Sequence, residues 1–205
     1  MTREFQMALK RSFDIVVSIF GLALLLPVFV GIALVVWINS PGPVIFKLRV
    51  AGCGGKAFMQ WKFRTMVKDA RRKAHPFETS ATDWRITSAG RFLRRWALDE
   101  LPQLWNIFRG EMSLVGPRPT FIEVASLYLP HEARRLEMRP GLTGLAQVQG
   151  RNVIPWQQRV ALDLIYIEHF SLWMDCKILV GTFPLLVRGT GVYGEDGSVR
   201  MHDWA

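Results

Sequence analysis

The chain has 205 residues, enough for one domain with an appendage. Half of its residues are hydrophobic, too few for a polytopic membrane protein, and its net charge of +9 calls for an anionic partner: nucleic acid, anionic lipid or a phosphorylated substrate. Cys53 and Cys176 fit no metal spacing or disulfide framework and read as reduced, structural residues, while His75, His131, His169 and His202 are scattered without ligand spacing.

The first element is apolar. From Ile15 to Ile38 the chain carries no charge over 24 residues, and the next charged residue is Lys47. As a helix this run measures about 36 Å, enough for a ~30 Å hydrocarbon core. It is too long for the apolar part of a signal peptide, and no small-residue cleavage site follows it. The membrane therefore explains the basic charge before nucleic acid does. Arg3, Lys10 and Arg11 precede the run and Lys47, Arg49, Lys56, Lys62 and Arg64 follow it, so a straight span puts one basic group on the unfavoured side. Pro27, near the midpoint, removes a helical hydrogen bond and kinks the helix. A helix that turns at Pro27 and leaves by the face it entered satisfies both flanks; an ordinary span with a tolerated proline is the alternative.

Pro43 to Ala51 and Lys56 to Phe63 flank the turn Gly52-Cys53-Gly54-Gly55 and predict a β-hairpin. Ala70 to Trp84 is polar and reads as a mobile loop. Arg91 to Trp96 forms a basic amphipathic helix, which either seats Phe92, Leu93 and Trp96 at the headgroup layer or packs on the core. Next come Asp99 and Glu100 at the head of an apolar stripe, Leu101, Leu104, Trp105 and Phe108, spaced for one helix face and ended by Gly110. Asp99 reads as the N-cap, with the positive end of the helix dipole beside both acids and Pro102 tolerated in the first turn. These residues alone leave two readings: a capped helix whose second acid complements the dipole, or a catalytic carboxylate pair. Gly141 and Gly144, around Thr143, either offer backbone N–H groups to an anion or make a structural turn. Ser171 caps a final helix that reaches Arg188, interrupted by Pro184, whose uncharged run Ile178 to Val187 is too short to span. The chain is thus α/β and mostly helical: an N-terminal re-entrant membrane helix hairpin kinked at Pro27, a short β-hairpin and amphipathic interfacial helices.

Several runs stand in a fixed order: Lys62-Phe63-Arg64-Thr65-Met66, Gly90-Arg91-Phe92-Leu93-Arg94-Arg95, Leu98-Asp99-Glu100-Leu101-Pro102-Gln103-Leu104-Trp105-Asn106, Met112-Ser113-Leu114-Val115-Gly116-Pro117-Arg118-Pro119, and Arg139-Pro140-Gly141-Leu142-Thr143-Gly144-Leu145-Ala146-Gln147. The set closely resembles the bacterial sugar transferases, the monotopic polyprenyl-phosphate phosphoglycosyl transferases, from about Lys10 to Tyr193. The chain looks like the small form, a catalytic domain without the transmembrane bundle of larger members. The resemblance implies transfer of a sugar 1-phosphate from a UDP-sugar to membrane polyprenyl phosphate with release of UMP, by way of a phosphosugar-aspartyl intermediate. It makes Asp99 the nucleophile, Glu100 the base or electrostatic partner of the acceptor step, and places Mg2+ near Asp99. Carboxylates are known nucleophiles toward phosphoryl groups, and cations neutralise charge on the phosphate oxygens. Arg118 offers a planar fork for phosphate, held in a loop stiffened by Pro117 and Pro119. Lys62 and Arg94 match family positions facing the phosphates, and Arg151, in Gly150-Arg151-Asn152, is a candidate contact to the nucleotide; a surface salt bridge is the plain alternative for each.

Three departures stand out. Leu26 precedes Pro27 where the family often has serine, Gln149 replaces a common asparagine, and Pro184 interrupts the last helix. The resulting division is a membrane anchor at 1–42, a cytoplasmic catalytic domain at 43–193 and a tail at 194–205, on the cytoplasmic face of the bacterial inner membrane. The expected partners are the UDP-sugar, polyprenyl phosphate and phospholipids, not nucleic acid, with a homo-oligomer left open. The sugar and the glycan pathway are not legible. A non-catalytic membrane scaffold is the rival class, and loss of Asp99, Glu100 or Arg118 would have favoured it.

Overall fold

Two helices built from the apolar run open the chain: α1, Arg3–Leu24, and α2, Leu26–Asn39. A computed structural model describes residues 2–70, 78–80, 82–150, 153–188 and 198–200. The helices meet at a bend of 61°. The break falls at Leu25, two residues before the predicted kink, and Pro27 lies in the first turn of α2. There its missing N–H costs no hydrogen bond, so the proline starts the second helix rather than distorting one helix. No single described helix is long and apolar enough to cross a membrane, whereas the bent pair passes that test together.

The exposure of α1 is inverted relative to a soluble helix. Lys10, Asp14 and Ser18, at four-residue spacing, are its buried residues, while Phe20 is 70% and Leu24 80% exposed. The polar stripe faces the rest of the protein. Lys10 Nζ lies 2.5 Å from Asp175, the Leu114 N–H donates to Asp14 Oδ1 at 2.9 Å, and Arg11 donates to the carbonyls of Ile107 and Phe108 at 2.6 and 2.7 Å. α1 is therefore held to the body by charge and hydrogen bonds. Its greasy side is left outward.

The predicted hairpin forms as β1, Ile45–Ala51, paired antiparallel with β2, Ala57–Phe63, and closed by the glycine turn. Phe63 packs with Ile32 and Val36 of α2 and Leu93 of α3, Ser88–Arg95, in one apolar cluster. Leu93 is thus a core residue, the second of the two readings, while Phe92 stays exposed. Within the loop predicted at 70–84, residues Glu78–Ser80 form β3. Two short helices and two strands follow: α4 (Gln103–Phe108), β4 (Ser113–Val115), β5 (Thr120–Phe121) and α5 (Ile122–Ala125). β5 adds to β1 as the third strand of the main sheet.

In α4 the buried residues are Gln103, Leu104, Asn106 and Ile107, while Trp105 and Phe108 from the predicted stripe are each 37% exposed. Hydrogen bonds decide this turn of the helix. Asn106 accepts the Trp61 N–H at 2.9 Å and donates to the Met59 carbonyl at 2.8 Å, and the Gln60 amide donates to Gln103 at 3.0 Å. A buried polar side chain with partners costs little, so the amides take the inner face.

The chain continues through α6, Pro130–Ala133, β6, Gly141–Thr143, α7, Leu145–Gln149, α8, Trp156–Glu168, and α9, Leu172–Arg188. The main core joins Ile107, Met112, Val115, Tyr166, Ile167 and Ile178. Ser171 accepts the Met174 N–H at 3.2 Å, as its capping role requires. Pro184 is carried inside α9 without ending it, a correction to the expected interruption. On α9 the side chains of Trp173, Val180, Phe183 and Val187 are exposed, an outward apolar face in addition to those of α1 and α2. Within the tail predicted at 194–205, Ser198–Arg200 forms β7 and pairs antiparallel with β3. Both cysteines are free, and both are exposed rather than structural.

Candidate active site

Asp99 and Glu100 lie in one tight turn, Leu98–Glu100, entered through Ala97 in the left-handed region at φ 53°. Asp99 does not cap the following helix; α4 starts behind Pro102, with no side-chain cap. The reason is the proline. Pro102 has no N–H to give the Leu98 carbonyl, so Leu101 takes that carbonyl at 3.4 Å and the backbone winds with three-residue spacing. The helix-dipole argument therefore gives way to side-chain charge.

That charge comes from three separate elements. Lys62 on β2 donates to Glu100 Oε1 at 2.7 Å, and Arg118, from the loop between β4 and β5, faces the same oxygen at 3.6 Å. Arg94 on α3 donates through Nε to Thr65 Oγ1 at 2.9 Å. Gly90 makes this possible, because a Cβ there would stand 2.0 Å from the Thr65 carbonyl oxygen and push α3 off the segment that follows β2. Asp99 is only 9% exposed. Burial and the neighbouring Glu100 carboxylate push its proton affinity above the ordinary aspartate range, while Lys62 and Arg94 pull the other way.

The Arg118 loop is braced by the parallel pair β4 and β6. Gly116 donates to the Thr143 carbonyl and Gly141 to the Pro117 carbonyl, each at 2.9 Å. A Cβ on Gly141 would fall 2.1 Å from the Gly116 nitrogen, and one on Gly144 would fall 2.2 Å from the Gly116 carbonyl oxygen. The N–H of Gly141 is thus engaged, and both glycines serve close backbone packing, the structural-turn reading of this segment. Arg151 lies outside the described residues.

Asp99, Glu100, Lys62, Arg94 and Arg118 all line a single cavity of about 1100 Å³. Its walls are also apolar, with Leu101, Leu142 and Phe183, and it continues past Gln147 to Trp156 and Arg159. Sequence spacing did not single out Thr65, Arg135 or Asp163, which line the same cavity. The one local signal was Asp163, a lone acid within the apolar run Val160 to Ile165 of α8.

Among the described residues no group of three or more His, Cys, Asp or Glu side chains converges to hold a metal unaided. Asp99 still fits a hard cation of the Mg2+ type, which is commonly held by one or two carboxylates and completed by substrate phosphates and water. Glu100 is already engaged by Lys62 and leaves Asp99 as the donor of choice.

A family model described as bacterial sugar transferase matches residues 5–189. The chain belongs to the bacterial sugar transferase family. Similar proteins include the "Uncharacterized sugar transferase EpsL" of Bacillus subtilis (strain 168), 39% identical with 91% of each chain covered. The "UDP-glucose:undecaprenyl-phosphate glucose-1-phosphate transferase" of Caulobacter vibrioides is 42% identical, with 90% of this chain and 72% of the relative covered. The "Undecaprenyl-phosphate galactose phosphotransferase" of Salmonella typhimurium is 37% identical over 90% of this chain and 42% of its own length. In this sugar transferase the matched segment contains the acid pair, the three cations and nearly all of the bent helix pair, and β7 lies beyond it.

Proposed function

We propose that this sugar transferase moves a sugar 1-phosphate from a UDP-sugar onto polyprenyl phosphate. The supporting observation is a buried carboxylate, Asp99, bracketed by Lys62 and Arg94 in a cavity large enough for both a nucleotide sugar and a lipid phosphate. In the first step an Asp99 oxygen attacks the sugar-bearing phosphorus. The bond from that phosphorus to the bridging oxygen breaks, and UMP leaves with the bond electrons. In the second step an oxygen of polyprenyl phosphate attacks the same phosphorus, the bond to Asp99 breaks and the carboxylate is restored. Arg118 clamps the diphosphate oxygens with its fork, Lys62 and Arg94 offset their charge, and Glu100 takes a proton from, or orients, the acceptor phosphate. Arg151, outside the described residues, is proposed as a contact to the nucleotide. A bound Mg2+, held by Asp99 and the donor's phosphate oxygens, would supply further neutralisation of charge on the diphosphate.

The test is UMP release from a panel of UDP-sugars by detergent-extracted protein. The expected result is one equivalent of UMP without acceptor, and continued turnover once polyprenyl phosphate is added, for at least one sugar. No UMP from any UDP-sugar under either condition overturns the reading.

The bent anchor is read as re-entrant, with both flanks and the cavity on the cytoplasmic face of the inner membrane. Its support is the apolar outer surface of α1, α2 and α9 together with basic residues at both ends of the anchor. Thr2→Cys and Ser40→Cys, placed singly in a Cys53→Ser/Cys176→Ser background, should both be shielded from an impermeant thiol reagent outside the cell. Labelling of Thr2→Cys from outside shows a span. Pro27 costs nothing in the first turn of α2 but about 3 kcal/mol within a straight helix. Pro27→Ala removes that bias, and a fraction of molecules should then expose the N-terminus to the reagent.

A further inference from the structure

The Arg118 side chain is 39% exposed, and its ion pair with Glu100 is long at 3.6 Å, so little holds the guanidinium from the front. Its backbone is held from behind. The Arg118 carbonyl accepts a hydrogen bond from Arg135 at 3.3 Å. Arg135 in turn donates twice to Asp163 Oδ2, at 2.9 and 2.6 Å, and to the Tyr128 hydroxyl at 2.6 Å. The Arg135 guanidinium also lies 4.8 Å from the centre of the Trp156 ring. Burial raises the proton affinity of Asp163, whereas Arg135, the Arg118 backbone N–H and the Arg118 guanidinium favour its charged form. The side chains of Arg135 and Asp163 are 4% and 1% exposed.

A buried ion pair is weak support for stability, because apolar residues of similar volume often replace one without loss. This pair does something apolar residues cannot. It grips the peptide backbone on which the phosphate-facing arginine is mounted, and it ties that loop to α8. We infer that Arg135 and Asp163 are positioning residues, a buried clamp that sets the Arg118 fork at the distance and angle the donor diphosphate needs. The inference rests on the proposed use of the cavity for a nucleoside diphosphate sugar.

The test separates position from stability. The double variant Arg135→Met/Asp163→Leu keeps volume and removes both charges, so its melting temperature should match or exceed that of the parent. UMP release should fall about a hundredfold, the scale of a misplacement near 1 Å. Introduced into an Arg118→Ala background, the same pair should cause no further loss, because residues acting through one group are not additive. An equal fold-loss in both backgrounds, or no loss in the parent, overturns the clamp. Should the double variant fail to fold, Asp163→Asn and Arg118→Ala are compared by calorimetric binding of inorganic pyrophosphate. Asp163→Asn should weaken binding in the parent and leave it unchanged in the Arg118→Ala background. Equal pyrophosphate binding by the parent and Asp163→Asn, or no binding by the parent, overturns it. Because the pyrophosphate arm needs no turnover, a parent that releases no UMP but keeps this coupling refutes the proposed reaction and leaves the clamp standing.

Discussion

Asp99→Asn is expected to abolish transfer and at the same time to stabilise the protein. Loss of the nucleophile should lower UMP release by roughly four orders of magnitude or more, the range in which nucleophile deletions fall. The same substitution should eliminate the sugar-phosphate adduct that intact mass spectrometry would find on the peptide carrying Asp99. Stability moves the other way because burial, then Glu100, raises the native proton affinity of Asp99 above its unfolded value near 4. A carboxyl raised in this way gives its full stability below the unfolded value, where both states are protonated, and loses it as pH rises through the native value. Asparagine does not titrate. The melting temperatures of parent and variant should therefore differ least in acid, and the variant should gain on the parent toward neutral pH. For the same reason the acid limb of parental activity should lie above the ordinary aspartate range. Transfer retained by Asp99→Asn would remove Asp99 from the mechanism, and a variant less stable at neutral pH would contradict the electrostatic reading.

Arg118→Lys carries the second large effect. The substitution keeps the charge and alters a side chain that is already partly exposed, so folding should be unaffected. Lys62 already gives Glu100 a point charge at 2.7 Å, and a lysine at 118 would add another without restoring two parallel donors. Turnover should fall about a hundredfold, comparable to removal of one oxyanion-stabilising donor. Steady-state UMP release at saturating donor, with melting temperature as the control, measures it. Near-normal kinetics would move Arg118 from phosphate binding to a structural salt bridge.

The elements that read correctly from the sequence are those governed by neighbours in the chain. The β1–β2 hairpin follows from alternation around a glycine turn and the Ser171 cap from a hydroxyl three residues ahead of an N–H, while the proline in the uncharged run locates the bend at Leu25 only to within two residues. The acid pair stood out by adjacency alone, and its family by the order of five motifs. What the sequence could not decide depended on contacts made across the fold. Asp99 does not cap α4 because Pro102 tightened the turn, and Trp105 of the apolar stripe stays partly exposed because Asn106 had a β2 backbone to satisfy. Lys10 and Asp14 lie beside an apolar run, yet are buried, since their partners Asp175 and Leu114 arrive from far along the chain. Arg135 stands in a segment of mixed charge with no signal of its own, and it is buried because α8 brings Asp163 against it. Periodicity reports which side chains share a face. Which face is wet, which is greasy and which polar group finds its partner is settled only when distant segments meet, because the cost of burying a charge depends on what is waiting there.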